Sequence, residues 1–401
     1  MSRAILDLLG AEFGAAVTRD PTGLPRVAPR TSDETAAALG LAHRNGWRVR
    51  VEGRGTWMPT DAPADLVVTT IALDRLGAVT PADLVATVQA GTSFRTLAAT
   101  LAGHRTWLAL DPPGSPDRSL GSVLATATAG PARHRFGPVK DHVLGTTIAT
   151  ADGRLVRAGG TVVKNVAGFD LTKLQVGGFG GFGIITEANL RLRALPPVRR
   201  AAVAAGALDP LFHAARAIVD AEVDAIVVEL LSPMVTGAPE WRLLVEIAGT
   251  EDGAATEMER ARAAAGEIAL TAATGGALGA AAGQSFLEGP ISIRAGVLPA
   301  SLPEVADLIV EELGPGRMSL GAGRGGLRWS GATSVDRIRR LRTILAHREI
   351  PVTLERAPWP IREAAGHFGE LREGVAPLTA RVRAVFDPTG VLVAPLEGTR
   401  G

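Results

Sequence analysis

The sequence predicts an α+β fold in two domains, and three observations carry that expectation. At 401 residues the chain is too long for one ordinary hydrophobic core. Its first half mixes strand-like and helix-like segments without the regular alternation of a doubly wound sheet; its second half sets strand-like runs between amphipathic helices, as when helices lie on an antiparallel sheet. "LPPVRR" at 195–200 supplies the boundary, because two prolines close the preceding strand. The expected domains are 1–197 and 198–401.

Composition narrows the function classes. Lys plus Arg number 42 against 41 for Asp plus Glu, without a run of like charge, so neither nucleic acid nor an anionic membrane is expected as the primary partner. There are no cysteines, which excludes disulfides, thiolate nucleophiles and cysteine-ligated iron–sulfur clusters from this sequence. Electrons passing through it need an organic carrier. The N-terminus has no cleavable-signal pattern and no stretch of about 18 apolar residues occurs, so a cytoplasmic protein without membrane insertion is expected.

Along the first domain, Thr31 and Glu34 have capping-box spacing ahead of an apolar helical run that Asn45-Gly46 stops. Trp47, Val49 and Val51 alternating with Arg48, Arg50 and Glu52 read as a half-buried strand that enters the glycine turn "VEGRGTWMP". "LVVTT" and "LVATVQAG" are strand-like, "SFRTLAATLAGH" is helical, and "DPPGSPDRSLGS" is a loop. "VLGTTIATADGRLVRAGG" reads as a hairpin about Asp152-Gly153. In the second domain "AIVVELL", "RLLVEIAG", "PISIRAGV", "GGLRW" and "PVTLER" read as strands, "SVDRIRRLRTILAHR" as a helix, and "SLPEVADLIVEEL" as a helix with a Ser301–Glu304 capping box.

Gly178, Gly180 and Gly183 spell G-x-G-x-x-G, the dinucleotide fingerprint. The context is reversed: "FDLTKLQV" before them reads as a short helix capped by Asp170, and "IITEANLRLR" after them alternates as a strand does. A Rossmann site needs strand, glycines, then helix, so that reading fails. What remains is backbone stripped of side chains, able to bring N–H groups close to a ligand, and a second such turn at "GRGT" repeats the arrangement.

Taken in order, "GRGT", "DPPGSPDRSLGSVLATATAGPARHRFGPVKDHVLGTTIATADGRLV" and "VVKNVAGFDLTKLQVGGFGGFGIITEANLRLRALP" resemble the PCMH-type FAD-binding domain of the vanillyl-alcohol oxidase superfamily. "AGP", "VLGT", "VVKNVAGFDLTKL" and "GGLRW" are similar to the FAD-binding E subunits of glycolate oxidase complexes. The resemblance implies two α+β subdomains with FAD between them, a C-terminal α+β capping domain, and a tail "FDPTGVLVAPLEG" that returns to the flavin. It implies that Glu52, Gly53, Arg54, Gly55 and Thr56 wrap the pyrophosphate, and that Ser119, Leu120, Gly121, Ser122 and Val123 line the pyrophosphate and flavin region, with Pro113 beside them. Ala129 and Gly130 would continue along the flavin, and Gly183, Ile184 and Ile185 would meet the adenine end. Where the family usually pairs two glycines this sequence has Gly121-Ser122, and a positive φ at Ser122 would cost about 1 kcal/mol. No His lies in the "GRGT" loop, so FAD is expected to be noncovalent.

The same resemblance implies oxidation of glycolate or a similar small 2-hydroxy acid, with electrons passed to an iron–sulfur subunit alongside a homologous FAD subunit, in a complex that could lie against the inner membrane. A flavin-holding assembly subunit and a stand-alone hydroxy-acid oxidase are the alternatives. Such chemistry needs a cation for the carboxylate and a base for the hydroxyl. The catalytic candidates are Arg294 in "ISIRAGV" and Arg328 in "GGLRW" as carboxylate holders and His367 in "REAAGHFGE" as the base, against the plainer readings of solvent-facing arginines and a structural histidine. No acidic-His-Gly motif is present and no metal is expected. Arg133, His134 and Arg135 form a basic cluster, read as a solvated loop or a steering patch.

Overall fold

The computed structural model describes residues 2–161, 171–273, 279 and 283–394. Strands β1 (Val17–Arg19), β2 (Pro25–Val27), β3 (Val49–Glu52) and β4 (Leu66–Thr69) form a four-stranded sheet in the order β1-β2-β4-β3. β4 pairs parallel with both β2 and β3, so a crossover is required, and the helix Ser32–Asn45 between β2 and β3 supplies it. That helix starts where expected: the Thr31 hydroxyl accepts from Glu34 N at 3.1 Å, the Glu34 carboxylate reaches back to Arg30 N at 2.7 Å, and Gly46 ends it at φ 66°.

The half-buried reading of "WRVRVE" is corrected here. Arg50 is buried and paired with Asp20 at 2.5 Å and Glu52 at 2.8 Å, because a strand in a parallel pair is covered on both faces and its polar side must be neutralised internally. The C-terminal segment runs beside β3, with Val49 N on Val391 O at 2.8 Å and Val393 N on Val49 O at 3.0 Å. The tail therefore returns to the first sheet, as far as residue 394.

β5 (Leu76–Thr80), β6 (Val85–Gln89), β8 (Val143–Ala149), β9 (Leu155–Gly159) and β10 (Ile184–Arg191) make an antiparallel sheet in the order β5-β6-β10-β8-β9, and β7 (Thr106–Trp107) pairs with β11 (Arg193–Ala194) beside it. The Asp152-Gly153 hairpin is present, with Ala149 opposite Leu155. Along β10, Ala188 and Leu190 are buried while Glu187, Asn189 and Arg191 are half-buried, the predicted alternation. The segment "VVKNVAGFD", with its proposed cap Asp170, lies outside the described residues; the helix after it is Leu171–Gln175.

The last sheet has eight antiparallel strands: β12 (Val198–Gly206), β13 (Ala225–Leu231), β14 (Trp241–Gly249), β15 (Thr271–Ala273), β16 (Ile291–Gly296), β17 (Arg317–Gly321), β18 (Gly326–Gly331) and β19 (Val352–Arg356), in the order β15-β12-β14-β13-β17-β18-β16-β19. The helices Leu208–Asp220, Glu251–Ala264, Leu302–Leu313 and Val335–Ala346 bury one face of it in a single apolar cluster. β12 was not expected, because "VRRAAVAAG" carries alanines where a strand usually carries β-branched residues. Ser301 is not a side-chain cap either: at φ −95°, ψ 5° it ends a 3₁₀ turn, and an N-cap needs extended backbone.

The period of two along these strands sorts their residues between the faces. Leu327 and Trp329, Ile293 and Ala295, Val228 and Leu230, and Val245 and Ile247 point into the helix-covered core. Arg328, Arg294, Glu229 and Glu246 alternate with them and so point to the other face, where Arg328 reaches Ala129 O.

Candidate functional site

Two neighbouring cavities are built in different ways. The first is a cleft enclosing about 1140 Å³ of non-protein space, walled by the loop Gly53–Thr60, by Gly121, Ser122, Ala125 and Thr126, by Phe179, Gly180 and Gly183–Ile185, and by Arg362, His367, Val393 and Ala394. β3 aims its loop here, and Gly55 (φ 67°), Gly180 (φ 77°) and Gly183 (φ 123°) hold backbone shapes that side chains disfavour. A Cβ on Gly53 would lie 2.3 Å from Ser119 Oγ, and one on Gly183 would lie 2.8 Å from Ala149 O. Among the described residues, the backbone N–H groups of Gly53, Arg54, Gly55 and Thr56 find no acceptor. A run of unspent donors around a long cleft fits a pyrophosphate linkage without a lysine. The residues present therefore fit FAD.

Of the expected cofactor set, Glu52, Gly53, Arg54, Gly55, Thr56, Gly121, Ser122, Gly183, Ile184 and Ile185 line this cleft. Ser119, Leu120 and Val123 do not, being wholly buried behind it. Ser119 instead caps the helix Leu120–Thr126, and Gly121 lets that helix approach β6, with its N–H on Ala90 O at 2.7 Å. Ser122 sits inside the helix without a positive φ, so no strain attaches to it.

Beneath the cleft lies Arg118, fully buried and, among the described residues, without a carboxylate partner. It donates to Pro113 O at 3.0 Å, Ser122 Oγ at 3.1 Å, Thr126 Oγ1 at 2.7 Å and Thr128 Oγ1 at 3.2 Å, and it stacks 4.3 Å from the Trp57 ring. Burial pulls its guanidinium down to about 9. It ties the loop of the first cleft to the Pro113 turn of the second cavity.

The second cavity lies against the polar face of the large sheet in two connected parts sharing Pro131, Ser319 and Arg328. One part, about 970 Å³, runs past Asp111, Pro113, Gly114, Phe286 and Glu246; the other, about 460 Å³, is ringed by Ala129, Gly130, Arg133, His134, Glu229, Arg294, Arg324 and Arg328. Pro113, Ala129 and Gly130 thus belong here. Gly130 is obligatory, since a Cβ would lie 1.9 Å from Asp111 O.

Arg328 donates to both oxygens of buried Glu355, at 2.8 and 3.2 Å, and to Ala129 O at 3.0 Å. Arg294 Nε lies 3.0 Å from Glu355 Oε1, off line for a hydrogen bond. Glu355 is held below its ordinary range by these arginines in spite of burial. The solvent-facing reading of Arg294 and Arg328 fails: both meet one buried carboxylate. His367 does not join them. It lines the first cleft, stacked 3.8 Å from Phe179, its Nδ1 3.1 Å from Leu354 O, and burial pushes it down to about 3. It is a neutral wall residue, not a base beside the arginines.

The "RHR" cluster is a short helix, Arg133–Phe136, and not a solvated loop. Arg135 pairs with Asp224 at 2.7 Å, His134 packs beneath Gly323, and Arg133 faces the cavity with no carboxylate partner among the described residues. Arg324 is held by His134 O at 2.6 Å. Two acids, half-buried Asp111 and buried Glu229, complete the surroundings. Asp111 accepts from Ala132 N at 2.9 Å through one oxygen and leaves the other unpartnered, and burial pushes it up to about 7. Glu229 accepts from the Ser319 hydroxyl and is pushed up to about 7 by burial.

Sequence reasoning missed Arg118, Asp111, Glu229, Arg324 and Glu355. The available signal was a lone charge inside an apolar strand, as in "AIVVELL" and "PVTLER", but no single strand says that these charges meet. No cluster of metal-binding side chains and no helix long and apolar enough to cross a membrane occurs among the described residues.

Comparison with known proteins agrees with the first cleft. Residues 25–159 match the family described as FAD binding domain. The chain is 40% identical over 117 residues to the glycolate oxidase subunit GlcE of Escherichia coli, a match covering 29% of this chain and 33% of that one. It is 28% identical over 183 residues to the glycolate oxidase subunit GlcD of Bacillus subtilis (44% and 38% covered), and 32% identical over 170 residues to a D-lactate dehydrogenase of Archaeoglobus fulgidus (41% and 38%). These matches cover less than two fifths of the relatives' length. A solved alkyldihydroxyacetonephosphate synthase is alike in fold over 98% of this chain and 84% of that one, with a TM-score of 0.74 at 13% identity. Residues 25–159 thus match an FAD-binding domain, and the cofactor is FAD.

Proposed function

We propose, taking the FAD-binding domain as premise, that this chain oxidises a small 2-hydroxy acid, glycolate to glyoxylate in its simplest form. One observation carries the reading: Arg133, Arg294, Arg324 and Arg328 ring the smaller part of the cavity, where, among the described residues, Glu229 is the carboxylate on the lining and Glu355 lies behind the wall. Four positive groups against two negative ones leave a local positive surplus that a substrate carboxylate would neutralise. The relatives named as glycolate oxidase subunits and a D-lactate dehydrogenase support the same substrate class.

FAD held by the Gly53–Thr56 loop and the Gly183–Ile185 strand entry supplies the two-electron acceptor. The chain's own residues do the rest. Arg133 and Arg324 supply charge not already taken by Glu355, Arg328 and Arg294 form a fixed positive wall, and Pro131 lines both parts of the cavity. Since the sequence has no cysteine to ligate an iron–sulfur cluster, onward electron transfer falls to a partner subunit of that kind, beside a homologous FAD subunit.

The engagement of both Arg294 and Arg328 by Glu355 favours a second reading, a subunit that holds flavin while a homologous chain binds substrate. Anaerobic titration of the FAD-loaded chain alone with glycolate, and then with D-lactate, separates the two. Bleaching of the flavin absorbance by either acid supports oxidation here. A flavin that stays oxidised with both sinks it in favour of the holding role.

A further inference from the structure

The cavity ringed by arginines contains one carboxylate with no ion-pair partner among the described residues. Glu229 is 6% exposed, lies at the centre of β13, and accepts from the Ser319 hydroxyl on β17. Opposite it in register stands Gly321, and a Cβ there would come 3.3 Å from Glu229 Oε2, so a side chain would crowd the carboxylate. Glu355, by contrast, is fully occupied with Arg328 and Arg294.

Resting on the reading above, we propose that Glu229 is the catalytic residue that takes the hydroxyl proton of the 2-hydroxy acid, oriented by Ser319. The substrate O–H bond breaks and its proton moves to the carboxylate. FAD bound in the neighbouring cleft would supply the acceptor for the C–H hydrogen and its electron pair as the carbonyl forms, and Glu229 returns the proton to solvent.

The surroundings suit that role. Ser319 from β17, Arg328 from β18 and Arg133 from the short helix all favour the charged form, while burial and Asp111 favour the neutral one. Arg294 from β16 and Arg324 from the β17–β18 turn face the same cavity. The balance sets Glu229 at about 7, so it can both accept and release a proton near neutral pH. A carboxylate serving only to satisfy Ser319 would gain nothing from opening onto a cavity of arginines.

The test uses the FAD-loaded full chain and its Glu229→Gln and Ser319→Ala variants, with oxalate as an unreactive anion. Anaerobic bleaching by glycolate or D-lactate should slow about 100-fold or more in Glu229→Gln, with oxalate affinity kept within about threefold. In Ser319→Ala, which loses the hydrogen bond favouring the charged form, the rise of bleaching rate with pH should move to higher pH. Oxalate binding at pH 8, followed by calorimetry in two buffers, should draw a proton onto the wild-type protein and none onto Glu229→Gln.

Equal bleaching in Glu229→Gln, or loss of oxalate binding in step with bleaching, overturns the proposal and leaves the oxidation reading intact. Proton uptake by a wild-type protein that no hydroxy acid bleaches sinks the oxidation reading while keeping Glu229 as the proton-exchanging group. Absence of both sinks both.

Discussion

The two cavities differ in what they are made of. The cleft at Gly53–Thr56 and Gly183–Ile185 offers backbone groups, and it needs side chains to be absent. The cavity against the large sheet offers side chains on strands β13 to β19, and it needs them to point the same way across a rigid layer. Backbone donors are chemically uniform, so they suit a cofactor whose phosphates are alike wherever it is bound. Charged side chains on strands can be changed singly, so they suit discrimination of a substrate. The contrast makes the first cavity sensitive to added volume and the second to removed charge.

The largest effect expected is from Glu355→Ala. It strips the counter-charge from buried Arg328 and from Arg294, and removing one partner of a buried pair costs about 3–5 kcal/mol. Urea unfolding should show the loss; a change no larger than that of an exposed pair would mean the charged wall is not preorganised.

Next comes a pH effect at Asp111. Its folded value, about 7, lies above the ordinary 3.8, so the folded protein holds a proton that the unfolded chain has released. Stability from this group is full below pH 3.8, declines as pH rises toward 7, and is gone above it. Asp111→Asn should remove that decline and raise stability at pH 8 relative to the parent. Thermal unfolding at pH 5 and pH 8 reads the difference, and parallel shifts at both would contradict it.

The smallest of the three is Gly183→Ala. Backbone at φ 123° is nearly closed to alanine, and the added Cβ meets Ala149 O at 2.8 Å, for a cost of about 1–3 kcal/mol. The sharper readout is FAD retention on gel filtration, which should fall while the large sheet stays folded. Unchanged FAD content would mean that the strand entry plays no part in holding the cofactor.

The cleft was legible in sequence because its requirement is written as glycine. "GRGT" and "GGFGG" stand out even though their order fits no Rossmann turn, and ten of the expected cofactor residues line one wall system. Ser119, Leu120 and Val123 were misplaced because a seven-residue helix turns half of that stretch inward. The anion cavity was legible only in fragments. Arg294 and Arg328 were singled out and Arg133 was named in the basic cluster, yet Glu229, Glu355 and Arg324 were not, and His367 was joined to them although it lines the other cleft.

Local sequence by itself determined the Thr31–Glu34 cap, the Asp152-Gly153 hairpin, the alternation of β10 and the glycine turns, because each depends on residues within one turn or one strand. Only the tertiary structure decided that Arg50 is an internal ion-pair member, that Arg118 bridges two cavities, and that charges from β13, β16 and β18 face one space with Glu355 of β19 behind them. Strand order and register set those meetings, and they are fixed by burial of the opposite, apolar face across residues far apart in the chain.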